Sequence, residues 1–273
     1  MIQTTINIVN SIERRFPFVG KWKWKVFYDF LAWRFPIQNW VFMNYGYADE
    51  ESEVKLELTP EDEVNRYFIA MYARALSQIE VSDRDILEVG CGRGGGSAWI
   101  SRTQNARSVT GIDLSKNAID LCQKLHRHET LKYLQGDAEN LPFSDESFDL
   151  VINVESSHTY PSIPKFLGEV TRVLRPNGYF SIVDFREIGE LDKLKSALSN
   201  SDLEVVKLTD ITANVVKALE LTESLKMEII RGNVPNFLLP LIETFAAVKG
   251  TKFHEGFVRR EVIYIAALLK KGK

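Results

Sequence analysis

A short apolar run that breaks into five glycines within seven residues leaves a chain few ways to fold. In Asp85 to Ile100, DILEVGCGRGGGSAWI, the run Ile86-Leu87-Glu88-Val89 meets Gly90, Gly92, Gly94, Gly95 and Gly96, and Ser97-Ala98-Trp99-Ile100 continues as a helix-compatible segment. The pattern reads as strand, tight turn and helix N-terminus. Glycine permits the sharp turn and lets a ligand approach backbone that carries no Cβ. The helix start adds exposed N–H groups. Such a turn raises the expectation of a nucleoside cofactor.

Strand and helix signals alternate after it. Ser108 to Asp113, Leu131 to Gln135, Phe148 to Val154 and Tyr179 to Phe185 read as strands. Lys116 to Arg127 and Pro164 to Leu174 read as helices, the second ended by Arg175-Pro176-Asn177-Gly178. Repeated units of this length predict an α/β fold with a doubly wound, Rossmann-like, mostly parallel sheet and right-handed crossovers. Upstream, Thr59-Pro60-Glu61-Asp62 reads as an N-cap, a proline at the first helical position and an acidic first turn, opening a helix to about Ile79. Downstream, a helix near Leu191 to Ala197 precedes a short strand, Leu203 to Leu208. The segment 210–256 is largely helical, and Val258 to Leu269 is the last strand, expected to be antiparallel. The helical insertion between these two strands is expected to stand off the sheet as a lid.

Residues 1–58 differ from the rest. Trp22, Trp24, Trp33 and Trp40 alternate with Lys21, Lys23, Lys25 and Arg34. This predicts a helical extension with aromatics packed on the main domain, 59–273. Tryptophan beside lysine and arginine also suits an interface, so the extension is a candidate lid, homodimer face or peripheral membrane contact. The net charge of -3 lacks the basic footprint of a general nucleic-acid binder. Two cysteines, Cys91 and Cys122, cannot form a disulfide framework. No secretory signal or membrane-length apolar run is evident. A cytoplasmic location is the expectation.

In an open α/β sheet the ligand sits beyond the carboxyl ends of the strands. Gly90, Gly92 and Gly95 fit G-x-G-x-x-G, which allows a dinucleotide and hence a nicotinamide-dependent oxidoreductase. Glu88, two residues before the first glycine, favours another ligand. A carboxylate there repels a pyrophosphate but suits an ammonium and a sulfonium. Asp113, after the second strand, can hold ribose hydroxyls in either case.

Gly136-Asp137-Ala138-Glu139-Asn140-Leu141-Pro142-Phe143, followed by Asp145-Glu146-Ser147-Phe148-Asp149, adds a second motif. With Glu88-Val89-Gly90-Cys91-Gly92 and Gly111-Ile112-Asp113 it resembles the class I S-adenosylmethionine-dependent methyltransferases over about Asp85 to Phe185. The resemblance implies that Glu88 and Gly90 hold the methionine end, with Gly92 in the same turn. It implies that Asp113 holds the ribose diol, beside Leu114, that Asp137 and Ala138 meet the adenine, and that Asn153 closes the pocket floor. Asn44-Tyr45-Gly46-Tyr47, Cys91 to Ser97, Asn153 to Pro161 and Asp184-Phe185-Arg186 resemble the phthiotriol/phenolphthiotriol dimycocerosate O-methyltransferases and their natural-product relatives. The resemblance suggests that Tyr45 and Tyr47 close over the cofactor.

Methyl transfer from a sulfonium is an in-line displacement that gains from holding the two reacting atoms close together. A hydroxyl nucleophile also gains from a base. His158, on the loop after the Phe148 to Val154 strand, is the candidate base. Glu155, at the same strand end, is a candidate orienter or second carboxylate, and Asp184, at the next strand end, is the alternative base. Each also has a purely structural reading: a histidine bonded to backbone, or an aspartate paired with Arg186. No metal-ligand spacing is present. Ser156-Ser157-His158 lacks the glycines of a hydrolase nucleophile elbow. The expected activity is O-methylation of a bulky lipophilic small molecule by S-adenosyl-L-methionine, yielding S-adenosyl-L-homocysteine. The rival within that cofactor class is C-methylation of a prenyl- or sterol-like alkene, with Glu155 and aromatic faces steadying a cation.

Overall fold

The computed structural model describes residues 40–49 and 56–272, with Val26, Asp29, Phe30 and Trp33 to Phe35. The expectations for Trp22 and Trp24, and most of the N-terminal extension, lie outside the described residues.

Seven strands form one sheet in the order β3-β2-β1-β4-β5-β7-β6. They are β1 (Asp85–Val89), β2 (Ser108–Asp113), β3 (Leu131–Gln135), β4 (Phe148–Val154), β5 (Leu174–Glu187), β6 (Leu203–Asp210) and β7 (Val262–Lys271). The pairs β1–β2, β2–β3, β1–β4 and β4–β5 are parallel. β7 runs antiparallel to both β5 and β6, so the chain's last strand is inserted between two earlier ones. In β1, Ile86 to Val89 are all buried, as expected of a parallel strand covered on both faces.

From Pro60 on, the α-helices are α1 (Pro60–Glu63), α2 (Arg66–Leu76), α3 (Gly95–Thr103), α4 (Lys116–Leu125), α5 (Ile163–Val173), α6 (Ile188–Ser199), α7 (Thr212–Leu221), α8 (Glu223–Asn233), α9 (Leu239–Phe245) and α10 (Lys252–Val258). One face of the sheet packs Ile69 and Met71 of α2, Ile100 of α3, Val215 of α7 and Phe257 of α10. The other packs Phe166 and Val170 of α5 and Leu194 of α6.

Two expectations are corrected. The helix from Thr59 is two pieces, because Asn65 leaves helical geometry (φ -105, ψ 15) between α1 and α2; Thr59 does cap the first, its Oγ1 accepting from Asp62 N–H at 3.3 Å. The last strand starts at Val262, since Lys252–Val258 is helical and Arg260 turns the chain at φ 58.

Residues 40–49 cross the glycine turn and tie it to the late helices. Gly95 N–H donates to Val41 O at 3.1 Å, and Arg93 donates from Nη2 to Phe35 O at 2.9 Å and from Nε to Trp40 O. Tyr45 Oη donates to Phe245 O at 2.9 Å, and Asn214 Nδ2 donates to Ala48 O at 2.9 Å. Helices α8 and α9 share a buried cluster, Ile230, Val234, Ile242 and Val248, with Phe35. No described helix is long and apolar enough to cross a membrane.

Candidate active site

β1 and β4 are neighbours whose continuing connections leave in opposite directions, and a cavity of about 1290 Å³ opens beyond their carboxyl ends. This is where an open α/β sheet is expected to bind its ligand. The glycine turn forms one wall. Gly90, at φ +78, donates N–H to Ile112 O at 2.8 Å. A Cβ on Gly90 would lie 2.1 Å from Ser156 Oγ, so only glycine lets this turn pass under the loop after β4. A Cβ on Gly92 would meet nothing nearer than Met43 Sδ at 3.5 Å, so its backbone is open to a ligand.

Asp113 faces the turn. Its Oδ2 accepts from Gly92 N–H at 2.9 Å and its Oδ1 from Ser115 N–H at 2.8 Å. Each oxygen keeps lone pairs for a further donor, which suits a vicinal diol. Burial pushes this carboxyl up to about 6. Leu114, Asp137, Ala138 and Glu139 line the same wall, and Glu155 the opposite one. Arg93 also lines the cavity, but its guanidinium is engaged by backbone carbonyls and lies 4.8 Å over the Trp40 ring. An acid-rich cavity of this kind favours a cationic ligand over a pyrophosphate. The open glycine backbone, the diol-ready Asp113 and the acidic walls fit S-adenosylmethionine. Among the described residues no cluster of three metal-ligating side chains occurs.

Three of the expected cofactor residues do not line the cavity. Glu88 is fully buried behind the turn, where Oε1 accepts from Tyr72 Oη at 2.8 Å and Oε2 from Ser97 Oγ. Burial pushes it up to about 7. It therefore joins α2 to the start of α3, and a direct contact with the methionine end is not what the structure shows. Asn153 lies under the floor, its Nδ2 donating to Val89 O at 2.8 Å and Ser156 Oγ at 2.8 Å; its Oδ1 is buried with no hydrogen-bond partner. Tyr47 turns away, with N–H bonded to Tyr67 O and Oη to Asp49 Oδ2 at 3.3 Å. Gly46, at φ +87, separates it from Tyr45, which does line the cavity.

On the rim, His158 Nδ1 lies 2.9 Å from Asp184 Oδ1, and His158 N–H donates to Asp184 Oδ2 at 2.9 Å. Asp184 is fully buried at the end of β5 and also accepts from Ser157 Oγ at 2.6 Å. Burial alone would raise this carboxyl, but His158 and the Arg186 guanidinium hold it well below the usual carboxylate range. Asp184 does not line the cavity, whereas His158 does. The structure places Asp184 behind His158, beside its Nδ1 and away from the cavity wall.

The His158 ring packs on Phe185, with centroids 4.3 Å apart. In the sequence Phe185 stands out only as part of Asp184-Phe185-Arg186, with no role of its own. Glu155 sits at φ 48, unusual for a side-chain-bearing residue. Its Oε1 accepts from Tyr45 N–H at 2.6 Å. Burial pushes it up to about 8, against the Tyr264 hydroxyl and the Tyr45 N–H. Sequence reading missed Tyr72 and Ser97, whose link to Glu88 joins three elements, and Tyr160, whose Oη lies 2.7 Å from Ser156 Oγ.

Comparison with known proteins places the chain. The family described as a methyltransferase domain matches residues 87–182. A phthiotriol/phenolphthiotriol dimycocerosates methyltransferase of Mycobacterium leprae is 36% identical over 241 residues, covering 88% of this chain and 89% of that protein. A fatty-acid O-methyltransferase of Mycolicibacterium smegmatis is 40% identical over 196 residues, covering 72% of this chain and 71% of that one. The fold is shared with the geranyl diphosphate C-methyltransferase of Streptomyces coelicolor, at a TM-score of 0.60 and 16% identity over 84% of this chain and 87% of that one. The dinucleotide alternative falls with this match. The chain belongs to the class I S-adenosylmethionine-dependent methyltransferases, in the family of the phthiotriol/phenolphthiotriol dimycocerosates methyltransferases.

Proposed function

We propose that the enzyme methylates a hydroxyl oxygen on a bulky lipophilic acceptor, with His158 as general base. The observation that carries this is the 2.9 Å contact between His158 Nδ1 and Asp184 Oδ1 at the cavity rim. S-adenosylmethionine, when bound, supplies an electrophilic methyl group on a sulfonium sulfur. Gly90, Gly92, Asp113, Leu114, Asp137 and Ala138 are the residues that would hold it.

Asp184 is ionised and can only accept hydrogen bonds. Nδ1 therefore carries the proton and donates a hydrogen bond to Asp184, and Nε2 is the nitrogen that takes a proton. With the cofactor held there, its methyl group would pass from sulfur to the acceptor's oxygen, the methyl–sulfur bond breaking to leave S-adenosylhomocysteine, and the hydroxyl proton would go to Nε2. Asp184 steadies the imidazolium that results, and Phe185 fixes the ring plane. A base of this kind contributes roughly 10²–10⁴ in rate. Relatives named for long-chain lipid and fatty-acid substrates support a lipophilic acceptor.

The test is product identification. Enzyme, carbon-13-methyl S-adenosylmethionine and a panel of lipophilic alcohols and phenols are incubated, and the product is read by NMR. Label in a methoxy signal supports the reading. Label as a C-methyl group on a prenyl or sterol acceptor would replace it with the alkene chemistry, in which Glu155 and the tyrosines steady a cation.

A further inference from the structure

A second cavity of about 740 Å³ lies against the first. The two share four lining residues, Met43, Asn44, Tyr45 and Phe245. Beyond them the wall is built from the lid, with Ile229, Ile230 and Val234 of α8 and its neighbouring turn and Ile242 of α9.

The polar groups at the junction are committed to protein. Asn44 donates from Nδ2 to Phe68 O at 3.2 Å and accepts at Oδ1 from Gly46 N–H at 2.9 Å. Tyr45 donates from Oη to Phe245 O and from N–H to Glu155. Among the described residues Lys226 is the one charged side chain in the chamber wall, and its Nζ donates to Ala246 O at 3.3 Å. The rest of the described wall is mostly aliphatic and aromatic, with Asn65 adding one further polar side chain. A largely apolar space of this kind favours apolar ligands. Through the four shared residues it adjoins the cavity that His158 lines, so a group filling it lies next to one held against that histidine.

We infer that the chamber between α8, α9 and residues 40–45 seats the aliphatic chain of the methyl acceptor, alongside the shared residues Met43, Asn44, Tyr45 and Phe245. This rests on the O-methylation reading for what lies at His158, but the chamber itself is tested without turnover. Each buried methylene contributes roughly fourfold in affinity, so the chamber selects chain length.

A pyrene-labelled long-chain alcohol is titrated into wild-type protein and into Ile229→Trp and Val234→Trp, each saturated with S-adenosylhomocysteine. Ile229 is only partly buried, so that variant tolerates the larger ring, and retained S-adenosylhomocysteine affinity verifies its fold. Expected is probe binding that dodecanol displaces and that weakens about tenfold or more in both variants. The ratio of kcat/KM for dodecanol to that for butanol should fall with it. Weakened probe binding with no alcohol methylated supports the chamber and overturns only the O-methylation reading. Equal probe affinity in all three proteins overturns the chamber, as does an equal loss of kcat/KM for dodecanol and butanol.

Discussion

Asp184 Oδ1 and His158 Nδ1 are 2.9 Å apart, and the carboxylate is wholly buried while the imidazole reaches the cavity. The pair spans two strand ends, β5 and the loop after β4.

Asp184→Asn keeps the shape and removes the charge. The amide can hold the ring in the wrong tautomer, as in catalytic triads. Expected is a fall in kcat of about 100-fold or more, with S-adenosylhomocysteine affinity retained by calorimetry. A KM effect with kcat intact would reduce Asp184 to a structural role.

Glu88 is buried and Asp113 and Glu155 half-buried, and desolvation pushes their carboxyls up to about 7, about 6 and about 8. Between about pH 5 and about pH 8 the folded chain holds protons that the unfolded chain has released, so stability falls as pH rises through that window. The Tm of the ligand-free enzyme should be higher near pH 5 than near pH 8, and Glu155→Gln should narrow the gap. Asp184, whose carboxyl is held low, acts with the opposite sign below about pH 4. A Tm that rises between about pH 5 and about pH 8 would contradict the burial of these groups.

Gly90→Ala puts a methyl 2.1 Å from Ser156 Oγ at a backbone φ of +78. Loss of about 3 kcal/mol of stability is expected, with cofactor binding lost as well. Gly168→Ala, in helix α5 with nothing within 4 Å, should be neutral or stabilising by roughly 0.5–1 kcal/mol. Paired denaturant titrations compare the two.

Tyr72→Phe strips Glu88 Oε1 of its donor. A buried acceptor left unpaired costs about 1–3 kcal/mol. Because Glu88 lies behind the cavity, stability should fall more than cofactor affinity, which separate thermal and calorimetric titrations resolve.

The strands were legible because buried parallel strands are short apolar runs: Ile86 to Val89 and Leu150 to Val154 needed no alternation to be seen. The slot of β7 between β5 and β6 was not, since a local pattern says nothing about which edges an antiparallel strand joins. Glu88 shows the same limit in the site. Its place at a strand end is written in the chain, but which side it faces depends on Tyr72 and Ser97, sixteen residues before it and nine after. Tyr45 and Tyr47 looked equivalent until the left-handed Gly46 sent them in different directions. His158 and Asp184 were both visible as strand-end residues. Their division of labour came only from the burial of one and the exposure of the other to the cavity.

The most direct measurement is the single-turnover rate of methyl transfer by His158→Ala, with the cofactor saturating and its affinity checked on the same sample. The account predicts a rate lower by roughly 10²–10⁴ with S-adenosylhomocysteine binding unchanged. A wild-type rate in His158→Ala would contradict it.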